Sequence, residues 1–341
     1  MTGIIIGGIV LLLALLVGLI GVFGARAKAR LAAQYPAPGQ MVDVGGYRLH
    51  IHCQGDHAPG SPTVVMEGGN AEPGLTWAAV QPEVAKFARV CTYDRAGLGW
   101  SEPSPKLRTA GNIVDELHTL LTQAGMKPPY VLVGHSLGGA LVRLYAHEHP
   151  DQVGGMVLVD AMHEEQELRL PDAMRRLNEK GRKFMVLFFR LAQLTAATGL
   201  SALFPKLLPR QALATVPREA QAAYSSLYLS GPKHYEAVIR ETSCVTENYA
   251  ALRTARIITL GDIPLVVLSA PDQFAALERY LSAEDAEQTK AVSSELHTEL
   301  AALSSNGKRV IVRASGHYIH VDQPQAVIDA IREVVRALAE P

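Results

Sequence analysis

The first pattern along the chain is an unbroken apolar run. Residues 4–23 carry no polar or charged side chain, and a helix of that length spans about 30 Å, the hydrocarbon thickness of a bilayer. A cleaved signal peptide is the alternative, because Ala25-Arg26-Ala27 loosely resembles a cleavage site. No Lys or Arg precedes the run, however, and it exceeds the roughly 7–15 apolar residues of a signal peptide. We therefore predict that residues 1–30 form a transmembrane anchor with a basic flank.

The residues after the run predict its orientation. Arg26, Lys28 and Arg30 follow it immediately. Because basic flanks remain on the cytoplasmic side of a membrane, we expect a single-pass protein whose following domain is cytoplasmic. Residues 31–40 contain two prolines and are predicted to be a linker.

From residue 41 onward, short apolar runs alternate with helical patterns. Residues 47–53 alternate apolar and polar side chains, which predicts a strand with one solvated face in an opening hairpin. His50 and His52 fit that polar face better than a metal site, since no third ligand is nearby. Buried strands are predicted at 63–66, 90–93, 130–133, 156–159, 264–268 and 309–312, and helices at 75–87, 113–124, 140–149 and 323–339. This alternation predicts an α/β fold with a mostly parallel sheet and helices on both faces.

The alternation stops after Asp160 for about ninety residues that have helical patterns. Two apolar stretches, 184–191 and 200–208, lie in this block. We predict that residues 41–341 form one domain and that residues 162–258 are a helical cap inserted after the sixth strand.

Composition narrows the possible functions. The chain of 341 residues is 48% apolar and 19% charged, so it can bury a large core and is not disordered. Its net charge of -1 gives no field for a nucleic-acid backbone, and we expect no nucleic-acid partner. Three cysteines, Cys53, Cys91 and Cys244, are too few and too scattered for a disulfide framework or a zinc site. We interpret them as indicating a reducing or redox-indifferent compartment, and we expect no metal and no cofactor.

One motif points to nucleophilic chemistry. Gly134-His135-Ser136-Leu137-Gly138-Gly139 is a G-x-S-x-G sequence that follows a predicted strand and precedes a predicted helix. In that context the Ser lies on a strained turn with its hydroxyl above the sheet, while the glycines leave room for the neighbouring backbone. Ser136 is therefore the candidate nucleophile.

A serine hydroxyl needs a base to take its proton. His317 follows the last predicted strand and precedes the last helix, at the sheet edge where α/β folds bind ligands. It is the candidate base, and His320 is the reserve candidate. We expect the remaining candidates on predicted helices to be surface residues: His118, His147 and His149.

Three segments together resemble the α/β-hydrolase superfamily. They are the G-x-S-x-G motif, the loop Tyr93-Asp94-Arg95-Ala96-Gly97-Leu98-Gly99-Trp100-Ser101, and Ser315-Gly316-His317-Tyr318-Ile319-His320-Val321-Asp322-Gln323-Pro324. The resemblance covers residues 41–339 and is to the branch with a helical cap after the sixth strand. It implies a chain order of Ser, acid and His, and a structural role for Asp94 and Arg95 at the edge of the active site.

The resemblance leaves the triad acid and one oxyanion donor open. The family more often uses an acid in the position of Asp272, but the loop here lacks the usual Gly-x-x-Asp form, so we favour Asp160 with Asp272 as the alternative. The oxyanion donors implied are the backbone N–H of Leu137 and one from the loop Glu67-Gly68-Gly69-Asn70, where Glu67 departs from the usual His. We favour Asn70, with Gly69 as the alternative.

The sequence therefore predicts a membrane-anchored serine hydrolase acting on a carboxylic ester, of the carboxylesterase or lipase kind. The apolar cap and the membrane anchor favour a small-molecule substrate with a lipophilic acyl group. The same residues are compatible with an amidase or peptidase, a C–C bond hydrolase, an acyltransferase, or a ligand-binding sensor without turnover. A serine nucleophile argues against haloalkane dehalogenation, which proceeds through an ester on a carboxylate. The sequence does not specify an oligomeric state.

Overall fold

The computed structural model describes residues 2–56, 60–203 and 216–339. It begins with a long helix, α1 (Thr2–Gln34), which extends into the predicted linker. Within the described ranges, one helix is long and apolar enough to cross a membrane, and it is this one. The basic flank belongs to the same helix.

A mostly parallel eight-stranded sheet follows, as predicted. The strands are β1 (Gln40–Asp43), β2 (Arg48–Gln54), β3 (Thr63–Glu67), β4 (Arg89–Tyr93), β5 (Tyr130–His135), β6 (Val153–Val159), β7 (Leu265–Ser269) and β8 (Gly307–Ile311). Their order is β1-β2-β4-β3-β5-β6-β7-β8. The pairs β1·β2 and β2·β4 are antiparallel, and the others are parallel. The carboxyl ends of the parallel strands therefore meet at one edge, where the site lies.

The central strands are buried on both faces, which explains why their sequences are continuous apolar runs. Alternate residues point into two cores because the strand period is two. Leu132 and Leu158 join the core beneath α3 and α4, whereas Val131, Val133 and Val157 join the core on the other face.

Thirteen helices are found in the described residues. They are α1, α2 (Gln81–Val84), α3 (Ala110–Gln123), α4 (Leu137–Glu148), α5 (Gln166–Arg169), α6 (Asp172–Thr198), α7 (Leu200–Leu203), α8 (Gln221–Ser230), α9 (Lys233–Ser243), α10 (Val245–Ala255), α11 (Ala283–Ala302), α12 (Ile319–Asp322) and α13 (Pro324–Ala337). Helices α5 to α10 lie between β6 and β7, which confirms a helical cap after the sixth strand. Residues 204–208 of the predicted apolar stretch lie outside the described residues.

The helix predicted at 75–87 is wrong. The chain instead forms a short 3₁₀ turn, Gly74–Trp77, and then the four-residue helix α2. Pro82 is in the first turn of α2, where its missing N–H costs nothing, whereas inside a continuous helix it would remove a hydrogen bond and clash with the preceding turn.

One pair of cysteines forms a disulfide, which the sequence analysis did not predict. Cys53 on β2 and Cys91 on β4 are direct partners in the antiparallel register, with their Cα atoms 4.0 Å apart, and they form a disulfide. Separation by 38 residues concealed the pairing in the sequence. Because disulfides persist mainly in oxidising compartments, this bond opposes the interpretation of a reducing environment.

Candidate active site

Ser136 lies on a tight turn between β5 and α4. Its backbone has φ 51° and ψ -117°, a strained combination for a non-glycine residue. The turn requires the motif's glycines: a Cβ at Gly138 would lie 2.5 Å from the Gly68 carbonyl oxygen, and one at Gly134 would lie 2.5 Å from the Gly138 carbonyl oxygen. The chain therefore folds locally as the motif predicts.

His317 and Asp160 meet at the same edge of the sheet. Asp160 follows β6 and His317 lies between β8 and α12, and the imidazole Nδ1 lies 2.6 Å from the Asp160 Oδ2. Burial alone would raise the pKa of Asp160, but the hydrogen bond and charge of His317 lower it below its ordinary value. Since Nδ1 bonds to Asp160, Nε2 is the nitrogen with a free lone pair.

Further contacts hold the Asp160 carboxylate. Its Oδ1 accepts a hydrogen bond from the Ala270 N–H at 3.1 Å, and its Oδ2 accepts one from Gln273 Nε2 at 2.7 Å. His297 Nδ1 lies 4.0 Å from Oδ1. Gln273 and His297 could not be identified from the sequence, since neither belongs to a motif.

The alternative acid, Asp272, has different partners. It accepts hydrogen bonds from the Ala314 N–H at 2.7 Å and from Arg313 at 3.3 Å, and no contact joins it to His317 in the described part of the chain. Asp272 therefore braces the loop that carries His317.

The other candidate histidines make no contact with Asp160 among the described residues. His320 is fully buried, with its ring 4.5 Å from that of Trp77. His118 and His149 stack on each other at 4.0 Å between α3 and the end of α4, and His147 is exposed in α4. His50 Nδ1 lies 2.9 Å from Asp94, a structural contact.

A cavity of about 390 Å³ connects the sheet edge with the cap. Ser136, Asp160 and His317 all line it, and the cap contributes both apolar and polar walls. The remaining lining residues are Asn70, Leu137, Ala161, Met162, Gln166, Met174, Asn178, Arg182, Met185, Thr242, Val245, Tyr249, Gln273, Phe274, Ser293 and His297.

The two candidate oxyanion donors in the loop after β3 differ in whether their backbone N–H groups already have acceptors. The Gly69 N–H donates to Glu72 Oε2 at 2.8 Å and is therefore engaged. The backbone N–H of Asn70 has no acceptor among the described residues, and the Asn70 side chain is held by Thr242 of the cap, at 3.0 Å. Asn70 itself lines the cavity.

Arg95 also holds the loop after β3 in position. Its guanidinium donates to the carbonyl oxygens of Gly68 (2.9 Å) and Gly69 (2.6 Å) and forms ion pairs with Glu67 and with Glu241 of α9. All of these side chains are buried. Arg95 therefore connects the loop to the cap, which agrees with the structural role that the family resemblance implies.

A second buried ion pair lies behind Ser136. His135 Nε2 is 2.9 Å from the His317 carbonyl oxygen, which can only accept, and His135 Nδ1 is 3.0 Å from Glu72 Oε2. A ring that donates from both nitrogens is an imidazolium. Burial alone would lower the pKa of His135 and raise that of Glu72, but their attraction raises the pKa of His135 and lowers that of Glu72 to about 2.

This cluster also includes His320, and its ligand atoms lie within 4.8 Å of one another. Those of Glu72 and His320 are 4.0 Å apart. A metal ion would need a lone pair from His135, but both of its nitrogens are engaged as donors. The donor set therefore fits an ion pair better than a metal centre. No sequence motif indicates this ion pair, since Glu72 and His135 are 63 residues apart.

The family model for the α/β-hydrolase fold matches residues 62–324. The chain belongs to the α/β-hydrolase family, and its mostly parallel sheet, cap and strand-turn-helix serine loop are those of a hydrolase of this fold.

The relatives include an uncharacterised protein and a probable transporter. YqjL of Bacillus subtilis, an uncharacterised protein, is 25% identical over 287 residues, covering 83% of this chain and 87% of that protein. A Hormonema carpetanum protein named "Probable transporter efuK" is 35% identical over 136 residues, or 38% of this chain, and the chain spans only 20% of its length. The solved structure of the epoxide hydrolase CorEH has a TM-score of 0.60 at 17% identity, covering 88% of this chain and 98% of that chain. That likeness shows the fold alone.

Proposed function

We propose that this protein is a membrane-anchored serine hydrolase that cleaves carboxylic esters. Ser136 is the nucleophile, His317 the general base and acid, and Asp160 the residue that orients His317. The observation that carries the proposal is the 2.6 Å hydrogen bond between His317 and Asp160 at a cavity that Ser136 also lines.

The reaction follows from these positions. His317 Nε2 takes the Ser136 proton as Oγ bonds to the ester carbonyl carbon, and the tetrahedral intermediate collapses when the alkoxy group leaves with that proton. A water molecule, deprotonated by His317, then attacks the acyl-enzyme, and the acid is released as Ser136 regains its proton. Asp160 remains ionised and stabilises the imidazolium, which agrees with its lowered pKa.

The negative oxygen of the intermediate needs two N–H donors. We assign these to Leu137, the first residue of α4, and to Asn70. The alternative donor, Gly69, is less suitable because its N–H already bonds to Glu72.

The cavity supports a substrate with a lipophilic acyl group. Met162, Met174, Met185 and Phe274 are among its lining residues, and the chain has an apolar helix that could place it at a bilayer. An ester with a long acyl chain is therefore the substrate class we propose.

Two features of the chain bear on which side of the membrane the hydrolase domain occupies. Arg26, Lys28 and Arg30 favour a cytoplasmic domain, whereas the disulfide favours an oxidising compartment. Lys28 donates to the carbonyl oxygen of Ala197 at 3.1 Å, so part of the basic flank has a structural role that does not depend on membrane orientation. We therefore propose that the hydrolase domain lies on the oxidising side.

The first test concerns the nucleophile. Ser136→Ala should abolish labelling by a fluorophosphonate and lower the hydrolysis of an activated ester by several orders of magnitude, since the three groups act as a unit. Labelling that survives the substitution would assign the nucleophile elsewhere. A protein that binds the ester without steady turnover would instead be a sensor.

The second test concerns the acid. Asp160→Asn should lower kcat by about 10³–10⁴-fold, the effect of losing control over the imidazole tautomer. Asp272→Asn is the matched control, because it makes the same chemical change one loop away and removes only the contacts to residues 313 and 314. A larger loss in Asp272→Asn would transfer the role to Asp272.

A further inference from the structure

One face of α6 is apolar and exposed to solvent. Its large side chains recur three or four residues apart, so they share one side of the helix. They are Phe184 (71% exposed), Leu187 (57%), Phe188 (38%), Leu191 (58%) and Leu194 (65%). Contiguous apolar surface of this kind marks an interaction site on a folded protein, and we call this set the α6 face.

The carboxyl end of α6, the helix that carries this face, lies next to the helix that could span a membrane. Gly199, directly after α6, is packed against Gly24 of α1: a Cβ on Gly24 would lie 2.7 Å from the Gly199 Cα. Lys28 Nζ donates to the last carbonyl groups of α6, at 3.1 Å from the Ala197 oxygen. Gly24 directly follows the apolar run, so α6 ends where α1 would leave the hydrocarbon.

Basic side chains accompany the apolar ones. Arg176, Lys180 and Arg190 are exposed on α6, and Arg26 and Arg30 are exposed on α1 just after the apolar run. A helix with an apolar face and flanking basic residues is the pattern of a segment that lies at the boundary between lipid headgroups and acyl chains.

The opposite side of α6 faces the candidate active site. Met174, Asn178, Arg182 and Met185 line the same cavity as Ser136. At 100° per residue their mean direction lies about 140° from that of the α6 face. One helix therefore separates the cavity from the apolar surface.

We propose that the α6 face docks on the bilayer that α1 crosses, so that the cavity receives an amphiphilic ester from the membrane. The occupant of the face is thus a lipid surface, because the helix that carries the face ends against α1, just after the apolar run, and has exposed basic side chains. The substrate part rests on the proposed ester hydrolase function, whereas the docking part does not.

Fluorescence quenching tests the docking. The full chain is placed in nanodiscs of phosphatidylcholine and phosphatidylglycerol with acyl chains brominated near the headgroup or, for the control in the middle of α1, near the chain ends. Tryptophan is introduced by Leu187→Trp or Leu191→Trp. Leu15→Trp in α1 is the positive control. Ile258→Trp is the negative control, since Ile258 is 80% exposed and precedes the amino end of β7, at the opposite edge of the sheet. We expect the fluorescence of the introduced tryptophan to fall by about half or more at positions 187 and 191, as for an interfacial helix. At position 258 it should change little.

Docking on the bilayer and delivery of the ester from it are tested by different outcomes. Quenching at 15 without quenching at 187 and 191 overturns the docking. Leu187→Glu combined with Leu191→Glu should lower hydrolysis of a long-chain ester in the bilayer by about tenfold or more, with hydrolysis of a short soluble ester unchanged. Ile258→Glu should change neither rate. An equal loss against both esters overturns delivery from the membrane. If the unmodified protein hydrolyses neither ester, the proposed function fails, while the quenching result still tests the docking.

Discussion

Replacing Glu72 by Gln should measure the strength of the ion pair behind Ser136. The change removes one charge while keeping the size of the side chain, and the amide oxygen can still accept the Gly69 N–H. What is lost is the attraction to the His135 imidazolium, 3.0 Å away. Both side chains are buried, so water can replace little of that attraction.

The expected magnitude follows from the pKa of Glu72. A value lowered from 4.5 to about 2 corresponds to about 3 kcal/mol of stabilisation of the folded state when the carboxylate is ionised, at about 1.4 kcal/mol for each tenfold change. Breaking a buried ion pair costs about 3–5 kcal/mol in general. We therefore expect Glu72→Gln to lower the free energy of unfolding by about 3 kcal/mol.

The effect should depend on pH in both directions. Because the pKa of Glu72 is lowered, its contribution is present above pH 4.5 and is lost as the pH falls towards about 2. Because the pKa of His135 is raised, its contribution is present below pH 6.5 and is lost as the pH rises through the folded-state value. The difference between the two proteins should therefore be greatest between about pH 4.5 and 6.5.

Urea unfolding of the full chain in detergent micelles, followed by circular dichroism, measures this difference. Glu83→Gln is the matched control: its exposed pair with Lys86 should contribute at most about 0.5 kcal/mol. A loss at Glu72 no larger than at Glu83, or one that does not vary between pH 3 and 9, would refute the ion pair.

Three further predictions concern the membrane anchor, the disulfide and the serine turn. Deleting residues 2–30 should make the protein extractable from membranes by alkaline carbonate without abolishing hydrolysis of a soluble ester, as sedimentation and an ester assay would measure; if the undeleted gene instead yields a soluble protein that begins near Arg26, the segment is a signal peptide. Cys53 and Cys91 should resist alkylation in native membranes until a reductant is added, whereas immediate alkylation detected by mass spectrometry would favour a cytoplasmic domain. Gly138→Ala should abolish fluorophosphonate labelling, because the added methyl group would lie 2.5 Å from a backbone oxygen, and unchanged labelling would show that the turn tolerates a side chain.

The strands could be predicted from the sequence because each signal is local. A continuous apolar run needs no knowledge of its neighbours to be recognised as a buried strand, and the runs at 130–133 and 156–159 lie within β5 and β6. The predicted helix at 75–87 failed for a local reason too, since Pro82 interrupts it. The position of Ser136 could likewise be predicted, because its turn is defined by glycines two residues away on either side.

Contacts between residues far apart in the sequence could not be predicted in this way. Asp160 and Asp272 both follow strands that end at the same edge of the sheet, so the choice between them depends on loop geometry that no periodicity encodes. The disulfide, the Glu72–His135 pair and the contact between Gly24 and Gly199 join residues 38, 63 and 175 positions apart. Such contacts are determined by strand register and by cap docking.

The cap is bound to the rest of the domain more strongly through α9 than through α6. At α9, Glu241 forms a buried ion pair with Arg95, which also binds the carbonyl oxygens of Gly68 and Gly69. Moving α9 would separate buried charges, at a cost of several kcal/mol, and would release the loop that carries Asn70. Helix α6 has no comparable buried ion pair within the described residues; its pair between Arg182 and Glu167 is partly exposed. Access to the cavity should therefore be least costly on the α6 side, where an amphiphilic substrate would enter without disturbing the loop next to Ser136.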